Sequence, residues 1–132
     1  MKSKLNKSSF LAILLFLSLI TSCDTVTYKQ GQVLYNAKCA TCHMADGSGV
    51  SKLYPALNAL SNSDVDIHNL ACIIRYGQNK EKYSLEMAGI KDLTDIEINN
   101  IINYILNELN DYKEEHSIDS TKQQLANCIS IK

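Results

Sequence analysis

The chain contains a single Cys-x-x-Cys pair and no second pair at matching spacing. A structural zinc site needs four ligands, so that absence excludes one. No apolar run reaches the ~20 residues of an ordinary membrane span, and the run from Phe10 to Ile20 falls well short of it. Basic side chains are also scarce. Lys2, Lys4 and Lys7 are the only charges before residue 23, and without those three the thirteen basic side chains fall to ten, against fourteen acidic, a net of −4. That balance argues against a nucleic acid partner and allows a basic protein one. There is no internal repeat, no hairpin signal and no convincing set of general acid, base and nucleophile. What remains within 132 residues is one small domain, helical by pattern, with terminal extras.

Residues 1–22 read as an export signal: three lysines, an apolar run, then small and polar residues. Ile20-Thr21-Ser22-Cys23 resembles a bacterial lipobox, in which cleavage leaves Cys23 as a lipid-bearing N-terminus. The alternative is a cleaved, soluble exported protein. Several acyl chains on one residue anchor firmly where a single chain binds only marginally. Residues 23–27 then form a short anchored linker, because Asp24 to Thr27 reach only about 14 Å when extended. The expected location is the periplasmic face of a bacterial envelope membrane.

The pair itself is Cys39-Ala40-Thr41-Cys42-His43. Two thiols at this spacing followed by an imidazole form the pattern for covalent haem attachment. Each thiol can add to one vinyl group, and the histidine then lies beneath the iron as its proximal ligand. A thioredoxin-like dithiol would follow a strand, whereas residues 28–40 carry a small and apolar side at Gly31, Val33, Leu34, Tyr35 and Ala37 and read as helix. Gly31 inside that helix predicts close approach of another helix. After His43, Gly47 and Gly49 mark a turn-rich stretch. The short apolar loop Leu53-Tyr54-Pro55-Ala56-Leu57 could pack on a haem face. Pro55 offers a carbonyl and no donor, which suits accepting a hydrogen bond from the other nitrogen of a metal-bound imidazole; the plain alternative is a turn proline.

A second helix is predicted over 64–76, with Ser63 as N-cap and Gly77 as stop. Ile67, Leu70, Ala71 and Ile74 form its main stripe, and Val65, Cys72, Ile73 and Tyr76 a second apolar side that something must cover. Residues 78–92 read as loop. Thr94-Asp95-Ile96-Glu97 is a capping box that opens a last helix to about residue 109. Beyond it the chain is polar until Leu125-Ala126-Asn127-Cys128-Ile129.

With these pieces in order, residues 28–109 resemble a class I c-type cytochrome of the small monohaem bacterial kind. The resemblance rests on Cys39 to His43, Gly47-Ser48-Gly49, Tyr54 to Leu57, Ile74-Arg75-Tyr76-Gly77, and the stretch from Met87 through Ile98 to Ile105. It implies an all-α cytochrome c fold, with N- and C-terminal helices crossed at Gly31, Tyr35 and Tyr104 around one covalent haem c and its iron. It also implies that Pro55 orients His43 and that Met87 is the sixth ligand. Ala88 stands where many relatives have proline after that methionine. His68 and His116 are the alternatives to Met87 and would make a bis-histidine haem.

The implied function is one-electron transfer to redox partner proteins, through a basic docking surface on the partner, with the membrane engaged through the N-terminal lipid. A cytochrome subunit of a larger oxidase or reductase is one alternative. A haem enzyme or gas sensor with a displaceable distal ligand is another. Counting cysteines leaves Cys72 and Cys128 over in a chain bound for an oxidising compartment. A disulfide between them would fold the 110–132 tail back over the second side of the 64–76 helix. Otherwise Cys72 is a small buried apolar residue and Cys128 a free thiol.

Overall fold

A computed structural model of the chain describes residues 27–61, 67–78 and 85–128. The export segment, Cys23, Ser63, Asp64, Val65 and Ile129 lie outside the described residues.

Helix α1 spans Lys29–Lys38 and α2 spans Ala40–His43. The pattern predicted one helix over 28–40; the chain instead restarts at Cys39, whose carbonyl accepts from both Cys42 N (3.1 Å) and His43 N (2.9 Å). A 3₁₀ turn at Ile67–Asn69 leads into α3, Leu70–Tyr76, which stops at Gly77 with φ +83°. Leu70, Ala71 and Ile74 are buried on one side of α3, and Cys72 and Ile73 on the other. Tyr76, expected under a cover, is 58% exposed.

Where a loop was predicted, Gly77–Gln78 (β1) pairs antiparallel with Met87–Ala88 (β2), Gly77 opposite Ala88 and Gln78 opposite Met87. Two residues a side are too few for alternation to be visible in sequence. Only glycine takes the Gly77 torsion easily, and a side chain there would run into the Met87 carbonyl.

Helix α4, Asp95–Asn103, opens on the predicted box, with Glu97 N donating to Thr94 Oγ1 (3.3 Å) and Thr94 N donating to Glu97 Oε2 (2.7 Å). It continues as a π-helical segment, Tyr104–Leu109. Within it Asn107 Nδ2 donates to the Asn103 carbonyl at 3.2 Å, a side-chain competitor for the regular ladder. Helix α1 crosses α4 at Gly31, where a Cβ would collide with the Asn100 carbonyl and lie 2.8 Å from Tyr104 Cβ. Beside that contact the rings of Tyr35 and Tyr104 pack at 5.2 Å and 48°.

The polar tail contains a helix that the sequence reading lacked: α5, Ile118–Ala126, capped by Ser117, whose Oγ accepts from Ser120 N at 3.1 Å. It packs on α3 and α4. Its fully buried residue is Thr121, not an aliphatic, so no apolar stripe announced it. Polar bonds hold the seam. Asn103 Nδ2 donates to His116 O at 2.9 Å, His116 N returns a bond to Asn103 Oδ1 at 2.8 Å, and Gln124 Oε1 accepts from Ala71 N at 3.0 Å. The Cys72 and Cys128 sulfurs are bonded at 2.04 Å with Cα atoms 5.6 Å apart. Helix α5 is thus tied to α3 at Ala71 and Cys72, well before Tyr76, which accounts for the exposure of that ring. Among the described residues no helix is long and apolar enough to cross a membrane.

Candidate functional site

The site is built on the turn between α1 and the Pro55 loop. Tyr35, fully buried in α1, donates its hydroxyl to Met44 O at 2.9 Å, so the helix crossing and the end of the Cys-x-x-Cys-His segment are one packed unit. Gly49 N donates to His43 O at 3.0 Å, and Leu57 N to Gly47 O at 2.6 Å, folding the loop back over His43. Asn110 fixes the loop from the other end. Its Nδ2 donates to Leu57 O at 2.6 Å and its Oδ1 accepts from Leu60 N at 2.9 Å. Nothing in the type or spacing of Asn110 marks that role in sequence.

His43 is buried, and its Nδ1 lies 3.0 Å from Pro55 O. A carbonyl can only accept, so Nδ1 carries a proton, and in the neutral ring this tautomer leaves the Nε2 lone pair free, the state a metal requires. Beside it is a cavity of about 320 Å³ with Cys39, His43, Pro55, Leu57 and Met87 on its walls. The rest of the lining is mostly aliphatic, from Leu60, Leu70, Ile73, Ile74 and Ile105, with Gln78 polar. Cys39 is buried, and burial first, with the neighbouring Cys42 second, pushes its thiol up to about 11. It is therefore a neutral thiol at neutral pH. Cys42 does not line the cavity; it is half-buried, and a hydrogen bond between its sulfur and the Tyr54 hydroxyl holds that hydroxyl above its ordinary range. Both thiols are free of disulfides.

His68 and His116 are not on these walls. They line a separate, open hollow of about 940 Å³ that holds neither thiol and not His43. His68 is exposed on the 3₁₀ turn, and burial holds His116 below its usual range. The larger hollow is thus not where the ligating groups meet. The smaller cavity fits haem by its donor set: one imidazole nitrogen freed for metal, one thioether sulfur, a thiol on its wall and a second beside it, and walls poor in competing polar groups.

Residues 26–105 match the profile of the family described as cytochrome c oxidase, cbb3-type, subunit III. The chain is also similar to the cytochrome c subunit of quinone alcohol dehydrogenase from Gluconobacter oxydans (strain 621H), at 32% identity over 83 residues, covering 57% of this chain and 17% of that protein. Similarity to the fructose dehydrogenase cytochrome subunit of Gluconobacter japonicus is 29% over 103 residues, covering 70% of this chain and 21% of that one. The chain spans about a fifth of the length of these relatives.

Proposed function

This chain belongs to the cytochrome c family described as cytochrome c oxidase, cbb3-type, subunit III, and on that footing we propose a one-electron carrier in which His43 and Met87 hold the iron. Its cofactor is covalent haem c, and its role is to carry electrons, not to catalyse a reaction of its own. The bound iron supplies a ferric–ferrous couple. Cys39 and Cys42 supply the covalent attachment. Pro55 orients His43 through the 3.0 Å contact at Nδ1, and Leu57 with its aliphatic neighbours excludes water from the cavity. With His43 and Met87 both held in place by the protein, little would have to move on electron transfer. The observation that carries the reading is that His43, with Nε2 freed, shares one cavity with Met87. Its test is expression in a host able to mature cytochromes c. The product should keep its haem through acid-acetone extraction and denaturing electrophoresis and titrate as a single one-electron couple. Loss of haem in the extraction removes the reading.

The carrier domain is assigned to residues 28–109, with 1–22 as signal peptide, 23–27 as linker and 110–132 as a tail tied back through Cys72 and Cys128. Location follows from the lipobox-like ending at Cys23: an exported protein, anchored by lipid on the periplasmic face of a bacterial membrane. Labelled fatty acid should enter the wild type and not Cys23→Ser, and the variant should become soluble. A soluble, unlabelled wild type would leave only an ordinary signal peptide.

A second reading is favoured by the names of the relatives, both cytochrome subunits of dehydrogenases. Here the chain docks permanently on a larger oxidoreductase. Retention in one large complex after mild detergent extraction supports this reading, and release as a lone domain supports the free carrier.

A further inference from the structure

Among the described residues, few backbone bonds hold the segment that bears Met87 to the rest of the molecule. Met87 and Ala88 pair with only two residues, Gln78 and Gly77, and Ile90 N donates to Ile74 O at 2.8 Å. A ladder of this length is marginal by itself. A partly buried guanidinium reinforces it. Arg75, in the last turn of α3 and next to the cavity-lining Ile73 and Ile74, donates from Nη1 to Lys91 O at 3.1 Å and from Nη2 to Asp95 Oδ1 at 2.8 Å. Its side chain is 18% exposed. Asp95 is the first residue of α4, where the helix N-terminus favours a carboxylate. A single guanidinium therefore joins the helix that forms the cavity wall to both ends of the 91–95 link.

We propose that Arg75 is the positioning residue for Met87, clamping its segment against the cavity wall and so setting how readily the Met87 sulfur is displaced from the iron. The proposal rests on the reading of Met87 as sixth ligand. The fork geometry is essential to it, because a lysine keeps the charge but cannot present two rigid donors to two acceptors. The other ion pair on this segment, Lys38 to Asp92 at 3.1 Å, lies between side chains 39% and 72% exposed and is too solvated to do the same work.

Imidazole titration of the ferric holoprotein, followed in the visible spectrum, measures displacement directly. Arg75→Ala and Arg75→Lys should each bind imidazole about tenfold more tightly than wild type, the scale of one charge-assisted hydrogen bond lost. Lys38→Ala should stay within about twofold. Ile102→Val, in the buried core and two helical turns beyond Asp95, supplies a comparison at matched loss of melting temperature. Arg75→Lys serves if Arg75→Ala does not fold. Wild-type imidazole affinity in the Arg75 variants overturns the proposal, and so does an equal shift in Ile102→Val, which would mean that Arg75 acts only through general stability. Failure of the underlying reading shows earlier and separately: if the far-red sulfur-to-iron band is absent from wild type, or survives Met87→Ala, Met87 is not the ligand and the clamp falls with it.

Discussion

At the scale of single residues, chemistry is decided by which atoms are left free. Pro55 lacks an N–H, so its carbonyl can face His43 without a competing donor from the same residue, and the imidazole proton is drawn to Nδ1. Met87 lines the same cavity as a neutral thioether, while the two other histidines face a different hollow. Met87→Ala should therefore abolish the far-red band of the ferric protein with the haem still attached, and His68→Ala and His116→Ala should leave it intact. Met87→His should lower the midpoint potential by a measurable part of the ~0.8 V that axial ligands command. If His68→Ala abolishes the native ligation and Met87→Ala does not, the assignment is wrong. These ligand candidates were legible in the sequence because each carries a scarce chemical group: a spaced thiol pair with its histidine, one proline, and one methionine in a loop.

At the scale of elements, legibility followed local signals and failed where a tertiary contact decides. Thr94 and Glu97 announce α4 because both halves of the box lie within four residues. Gly31 announces its crossing because glycine in a helix needs a reason. Gly31→Ala places a Cβ against the Asn100 carbonyl and Tyr104, and overpacking of this kind should cost about 2 kcal/mol in chemical denaturation of the holoprotein. A denaturation midpoint equal to wild type would mean that the helices part without penalty. Helix α5 and the β1–β2 pair left no such trace. One buries Thr121 behind a polar seam, and the other exists because Gly77 can take a positive φ opposite Ala88. The roles of Arg75 and Asn110 are equally silent, since their acceptors are main-chain carbonyls and a carboxylate supplied by other elements. The seam also predicts a pH dependence. Burial lowers the His116 pKa from its ordinary 6.5, and Nε2 is buried without a partner among the described residues, so protonation is harder in the folded state than in the unfolded one. The unfolded chain then binds more protons below that value, and stability intact above pH 6.5 declines as pH falls through it. Amide exchange in α5 should slow less between pH 7 and 5 than the base-catalysed intrinsic rate does, and His116→Gln should remove the difference.

At the scale of the molecule, charge governs how the carrier meets others. The chain after Cys23 carries ten basic and fourteen acidic side chains, and the two ion pairs among the described residues, Lys38 to Asp92 and Arg75 to Asp95, neutralise charge locally without changing that net of −4. A field of this sign reaches far in dilute buffer, where the Debye length is about 30 Å at 0.01 M, and is cut to about 3 Å at 1 M. It should draw in cationic partners and repel anionic ones, which changes encounter rates more than the transfer step itself. Two small redox reagents of opposite charge separate this from any property of a particular partner. Oxidation of the ferrous protein by a cationic cobalt–phenanthroline complex should slow several-fold as salt is raised across that range, and oxidation by ferricyanide should quicken. Parallel salt dependence for the two would mean that electron transfer does not sense the net charge, and the basic docking surface inferred for the partner would lose its support.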